Sequence, residues 1–225
     1  DNVAIGHNAL GDASADVDRA VAIGKDAAAS ADHSHDDGII AIGYQALTSF
    51  SSTDAYNGTV AIGAFAGYTG STGLREAVLI GYQAGYSNNN SYNVMIGNES
   101  GKYATGTNNT FVGHDAALGV DGSTSGGNNV AVGAKALTAL TTGGDNVVIG
   151  FNAGVAMTVA GQNVYIGKDC AESSDQGDYN TVVGHGSFKT ASGNSSNYNT
   201  VVGWEAAKIM TDGTENTCIG AKTGD

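Results

Sequence analysis

The side chains most able to do chemistry are gathered in a few places. Asp32-His33-Ser34-His35-Asp36-Asp37 is the densest set of metal-capable groups, and two imidazoles with a carboxylate suit a transition metal when a loop holds them in fixed geometry. Asp12, Asp16 and Asp18 offer the oxygen ligands that calcium takes, without the residue order of an EF-hand loop. Both stretches read as solvated acidic loops, so no metal and no cofactor is assigned. Glu99, Asp115, Asp169 and Glu205 invite comparison with the paired carboxylates of glycosidases. They share one recurring slot that elsewhere holds Asn, Gln, Lys and Phe, which is the pattern of a solvated face. With no Gly-x-Ser-x-Gly elbow and no convincing Cys-His pair, the chain is not read as an enzyme. The aromatic residues offer more. Tyr44, Tyr82, Phe151 and Trp204 each follow a recurring glycine, and Tyr92, Tyr179 and Tyr198 each precede a recurring Asn. A flat ring suits the apolar face of a pyranose, which makes Tyr44, Tyr82 and Trp204 the candidate ligand contacts. Stacking between coils or subunits is the plainer alternative.

These residues are positioned by a five-residue phrase, clean at Asn146-Val147-Val148-Ile149-Gly150, that occurs thirteen times. Its closing glycines run from Gly6 to Gly220 in steps of 16 to 20 residues. A fixed phrase with variable spacers is the mark of a solenoid, in which one coil cannot bury its apolar face alone. The expected fold is therefore all-β, a parallel β-solenoid of about 13 coils, with residues 1–225 forming a single repeat domain within a longer fibrous chain. Eight successive coils open the phrase with Asn, from Asn93 to Asn216, which predicts a ladder of stacked amides. Three residues after each glycine the side chain is always Ala, Ser, Thr or Cys, as expected where a second short strand turns inward. The Gly, Ser, Thr, Asn and Asp spacers are loops on the exposed side.

Alternation along the strand places the first and third residues on one face and the middle residue on the other. With the flanking Val, Thr and Ile assigned to the coil interior, the uncharged middle positions need another cover. Leu79, Met95, Phe111, Val148, Tyr165, Val182, Val201 and Cys218 are accordingly expected at subunit contacts around a rotation axis.

Composition narrows the remaining choices. The chain has 35 Gly, no Pro and a formal charge of −13. Missing Pro suits stacked strands, because each ladder position needs its N–H. The negative charge disfavours a phosphate-binding groove, so nucleic acid is not an expected partner. No stretch has the ~18–20 apolar residues of a membrane-spanning helix, so no membrane insertion by this segment is expected. Cys170 and Cys218 occupy different slots of the repeat and read as two small buried residues rather than a disulfide.

Asn2-Val3-Ala4-Ile5-Gly6-His7-Asn8-Ala9, Thr59-Val60-Ala61-Ile62-Gly63-Ala64-Phe65-Ala66 and their relatives along the chain resemble the head repeats of YadA-type trimeric autotransporter adhesins. Similar repeats occur in phage tail fibres. The resemblance implies a left-handed β-roll, three chains side by side as a homotrimer forming a rod, and an extracellular, cell-surface or virion-surface location. It also implies an adhesive shaft or head that binds a host-surface glycan or protein receptor, with a passive structural shaft as the alternative.

Overall fold

In the computed structural model, described for residues 1–11, 17, 19–30, 38–48, 58–69, 74–173, 177–190, 196–210 and 213–224, the chain is an all-β parallel solenoid. Thirteen strands are found among these residues, each three residues long and each made of the first three apolar positions of the phrase. The chain divides into two compact units, Asp1–Asn109 and Thr110–Asp225. The first unit holds β1 (Val3–Ile5), β2 (Val21–Ile23), β3 (Ile40–Ile42), β4 (Val60–Ile62), β5 (Val78–Ile80) and β6 (Val94–Ile96). Each pairs in parallel with the next and in register, Val78 with Val94, Leu79 with Met95 and Ile80 with Ile96. The second unit repeats the arrangement with β7 (Thr110–Val112), β8 (Val130–Val132), β9 (Val147–Ile149), β10 (Val164–Ile166), β11 (Thr181–Val183), β12 (Thr200–Val202) and β13 (Thr217–Ile219). Like residues therefore stack on like residues, and every spacer is free to vary in length.

The interior lies on the opposite side of the strands from the one the sequence suggested. Leu79, Met95, Phe111, Val148, Tyr165, Val182 and Val201 are completely buried within the single chain. A side chain with no exposed surface cannot touch a second subunit, so the assignment of these residues to subunit contacts is corrected: they are the core of the coil. Cys218, in β13, is half-buried and occupies the same inward slot. The small residues three after the corner glycines are also fully buried in the inner coils, as at Ala84, Ala116, Ala153 and Ala206, and half-buried only in the first and last, at Ala9 and Thr223.

The stretch carrying those small residues is not a second strand but a run of turns. In all thirteen coils the residues two and four positions after the corner glycine have φ between 45° and 75°. Alternating left-handed residues bend the chain sharply, and the adjacent residues three and four after the glycine, such as Ala136 with Leu137 and Ser187 with Phe188, are both buried. Most of these positions are not glycine, and each L-residue held there costs roughly 1–2 kcal/mol relative to ordinary helical backbone. Packing and inter-coil hydrogen bonds have to offset that strain.

Core volume is shared between the middle strand position and the residue six later. A Cβ added to Gly85 would lie 2.7 Å from Cδ2 of Leu79, and one added to Gly154 would lie 3.3 Å from Cγ1 of Val148. The largest middle residues, Leu79, Met95, Phe111 and Tyr165, go with Gly85, Gly101, Ala117 and Ala171, whereas Ala41 and Ala131 go with Leu47 and Leu137; Val182, paired with Phe188, departs from the trade. The trade predicts a compensating pair. Leu137→Gly should lose ~2–5 kcal/mol to a cavity and Ala131→Leu ~1–3 kcal/mol to overpacking. The double variant, which copies the Leu79 and Gly85 pairing, should recover at least half of the combined loss in a denaturant melt.

The amide ladder forms as expected within each unit. From Asn129 onward, each side-chain oxygen accepts the backbone N–H of the next Asn in the series Asn146, Asn163, Asn180, Asn199 and Asn216, at 2.8–3.1 Å. The Nδ2 groups donate to spacer carbonyls, Asn146 to Ala160 at 2.9 Å and Asn163 to Gly177 at 2.8 Å. In the first unit Asn93 Oδ1 accepts from the Asn109 N–H at 2.8 Å. Each amide thus satisfies buried backbone groups at the corner that enters the strand. The ladder pins the spacers to the sheet.

Both cysteines are free thiols. Burial pushes the Cys170 thiol up to about 12, and it rests 3.5 Å from the carbonyl oxygen of Val182. The thiolate is the reactive form, so iodoacetamide should label half-buried Cys218 first and spare Cys170 until the chain unfolds. Peptide mapping after a timed pulse would check this.

Candidate functional sites on the outer surface

Turning the strand inside out leaves its first and third residues facing away from the coil. In every strand these are Val, Ile or Thr, and within each unit they form two continuous columns. They are half-exposed or exposed throughout: Ile62 and Ile166 are each 36% exposed, Ile5 57% and Ile219 68%. A parallel sheet is normally covered on both faces, and contiguous apolar surface larger than a few hundred Å² marks an interaction site on a soluble protein. This face carries no charge. It is the surface the sequence reasoning assigned to the interior, and the one signal that could have located it was the volume trade described above.

The second feature is an aromatic cluster on the first unit. Tyr44 and Tyr82, 42% and 45% exposed, occupy the slot just after their corner glycines, two coils apart, with Ala64 between them in the same slot. Phe65 joins them. Its ring is perpendicular to both, with centroids 5.1 Å from Tyr44 and 6.1 Å from Tyr82, the edge-to-face arrangement that the aromatic quadrupole favours. Tyr68 lies edge-on to Phe65 at 5.5 Å and stacks on Tyr86 at 5.0 Å. Burial, and then the neighbouring Tyr68, raise the pKa of the Tyr86 phenol above its ordinary value. It stays a neutral hydrogen-bonding group. Phe65, Tyr68 and Tyr86 were not singled out in the sequence because their slots are polar or small in most other coils.

The remaining aromatic positions are separate from this cluster. Trp204 belongs to the second unit, where Lys222 Nζ sits 4.7 Å from its ring centroid. Tyr179 and Tyr198 stack face to face at 4.8 Å, their planes 3° apart, so each covers one face of the other. Tyr92 is exposed on the first unit.

The carboxylates sit beside lysines or, for Asp115, an imidazole, rather than in a facing pair. Glu99 bonds Lys102 at 3.2 Å, and Asp115 lies 3.1 Å from His114 Nδ1. Asp169 meets Lys168 at 3.2 Å, and Glu205 meets Lys208 at 3.0 Å and Lys222 at 3.7 Å. The hydrogen bond from Lys208 holds the Glu205 carboxyl below its usual range, the opposite of what a general acid requires. Among the described residues no group of three His, Cys, Asp or Glu converges as a metal site. The His33 and His35 loop and Asp12, Asp16 and Asp18 lie outside the described residues. Comparison with family models, with curated proteins and with solved structures gives no match to the chain.

Proposed function

We propose that the chain is the repeat segment of an adhesive, receptor-binding fibre carried on a cell or virion surface, assembled as a homotrimer. The observation that carries this reading is the uncharged outer face of Val, Ile and Thr columns, which a single chain leaves in water. Strands of like sequence stacked in register repeat a similar surface at every coil, and copies arranged around an axis parallel to the stack would cover it with the same slots of their neighbours. The occupant is a second and third copy of this chain. The resemblance to YadA-type heads supports a left-handed β-roll and a threefold arrangement. The adhesive role rests on the aromatic residues left on the remaining surface.

Light scattering tests the assembly: the expected mass is three times the 22.4 kDa of one chain. A monomer at micromolar concentration would refute it. A glycan array probed with the purified trimer separates the adhesive fibre from a passive shaft, since specific binding supports the first and silence the second.

A further inference from the structure

We propose that Tyr179 and Tyr198 form a cross-linking site, where a peroxidase using hydrogen peroxide joins the two rings as dityrosine and ties the coil of β11 to the coil of β12. The inference stands apart from the adhesive reading, because both residues belong to one chain and the link would form on a passive shaft as well.

The two tyrosines occupy the same slot, one before the ladder Asn, in consecutive coils. Their backbones match, with φ 59° and 58°. The rings accordingly emerge parallel, centroids 4.8 Å apart and planes within 3°, which is about the 4.8 Å spacing of neighbouring strands. The main chain is fixed on both sides of each ring. Tyr179 donates its N–H to the Gly161 carbonyl at 3.3 Å and Tyr198 to the Asp178 carbonyl at 3.1 Å. Asp178 donates its N–H to Asn197 Oδ1 at 2.7 Å, and Asn199 donates to Asn180 Oδ1 at 3.0 Å. The rings are thus oriented before any oxidant arrives.

One hydrogen peroxide takes an electron and a proton from each phenol and becomes two waters. Each phenoxyl radical shares its unpaired electron between the oxygen and the ring carbons beside it, Cε1 and Cε2. A bond between two such carbons begins with overlap of orbitals perpendicular to both ring planes, so parallel rings face the required way. A Cε of Tyr179 then bonds a Cε of Tyr198, each carbon sheds its proton and each oxygen takes one up. The pair ends two hydrogens lighter.

The other tyrosines lack this combination. Tyr179 and Tyr198 are 47% and 57% exposed, which admits the oxidant. Tyr92 is as open, at 51%, but the same slot in the coils beside it holds Glu76 and Asn108. Tyr68 and Tyr86 stack 25° out of parallel and are half-buried, and burial raises the Tyr86 phenol above its ordinary value, so it holds its proton more firmly. Tyr44 and Tyr82 both meet Phe65 edge-on.

The test treats the full folded chain with peroxidase and limiting hydrogen peroxide, after iodoacetamide has capped Cys218 so that its thiol does not quench the radicals. Dityrosine fluorescence should appear while the chain still runs at the 22.4 kDa of one copy on a denaturing gel. Peptide mapping should find Tyr179 joined to Tyr198 about tenfold or more over any other pair, a small part of the advantage that fixed geometry can give. Tyr198→Phe and Tyr179→Phe keep a ring in the stack without a phenol, and each should abolish the joined peptide. Tyr92→Phe should leave it unchanged, and oxidation in urea should scatter the pairings. Joined peptides distributed evenly over the tyrosines of the folded chain would overturn the site. So would links mainly between chains, or dityrosine that forms only in urea.

Discussion

Val148→Asp should prevent the second unit from folding, whereas Ile149→Asp, one residue along, should leave the fold in place and break the proposed assembly. The two side chains leave the strand in opposite directions. Val148 is completely buried among the small residues of its own coil, and Ile149 is half-exposed on the outer face. A carboxylate at position 148 would have no water and no cation, and an uncompensated buried charge costs several kcal/mol. Its folded pKa would rise above the unfolded value. Any stability the variant keeps should therefore be greatest at acid pH, below ~4, and should vanish as pH rises through the raised folded value. At position 149 the charge stays hydrated in the single chain, whose interior is already filled. Circular dichroism should then retain the β signal while light scattering falls toward the 22.4 kDa of one chain. A folded, dissociated Val148→Asp would return the middle positions to the interface and sink the assignment made here.

That pair of variants falls where sequence reasoning and structure part. The strands, their parallel register and the Asn ladder were legible because each depends on one slot repeating the same residue type. Alternation also separated Val147 and Ile149 from Val148 correctly, but a period of two says only that the faces differ and not which one is inside. The deciding information lay six residues away, where Gly85, Gly101 and Gly154 make room for Leu79, Met95 and Val148. No local pattern links those positions. The left-handed turn was partly written too: Gly67, Gly85, Gly101, Gly154 and Gly224 fall four after their corner glycines, and Asn8, Asp26, Asn152 and Asp169 fall two after theirs. Asn and Asp tolerate that backbone better than other L-residues. Leu10, Phe65, Lys135 and Leu137 at the same positions hid the signal, since propensity yields where packing decides. Of the candidate site, exposure of Tyr44 and Tyr82 could be read from their slot. Their meeting at Phe65 could not, because the slot of Phe65 holds polar residues in most other coils and the repeat does not say where its ring lies.

The corner glycine closes every one of the phrases from Gly6 to Gly220, and two demands can require it, positive φ or close backbone approach, which substitution weighs. Gly150 has φ +139°, and a Cβ there would lie 2.6 Å from the carbonyl carbon of Gly167 in the next coil. Neither backbone can move aside. Gly150 donates its own N–H to Val132 at 2.8 Å, and Gly167 donates to Ile149 at 2.8 Å. Gly220, the last corner glycine, makes a comparable demand on φ, at +127°, but its Cβ would meet only the Thr223 side chain, 3.2 Å away, and no neighbouring backbone. Gly220→Ala therefore measures chiefly backbone strain and should cost ~1–3 kcal/mol. Gly150→Ala adds a clash that only separation of neighbouring coils can relieve, at the expense of the ladder hydrogen bonds on both sides. Its loss should exceed 4 kcal/mol, the range reserved for a few severe mechanisms. Hydrogen exchange should show the damage centred on β9 and β10 and fading with distance, because each coil contacts only its neighbours. Equal losses for the two variants would mean that φ alone fixes the glycine and that the close approach of the coils is not what demands it.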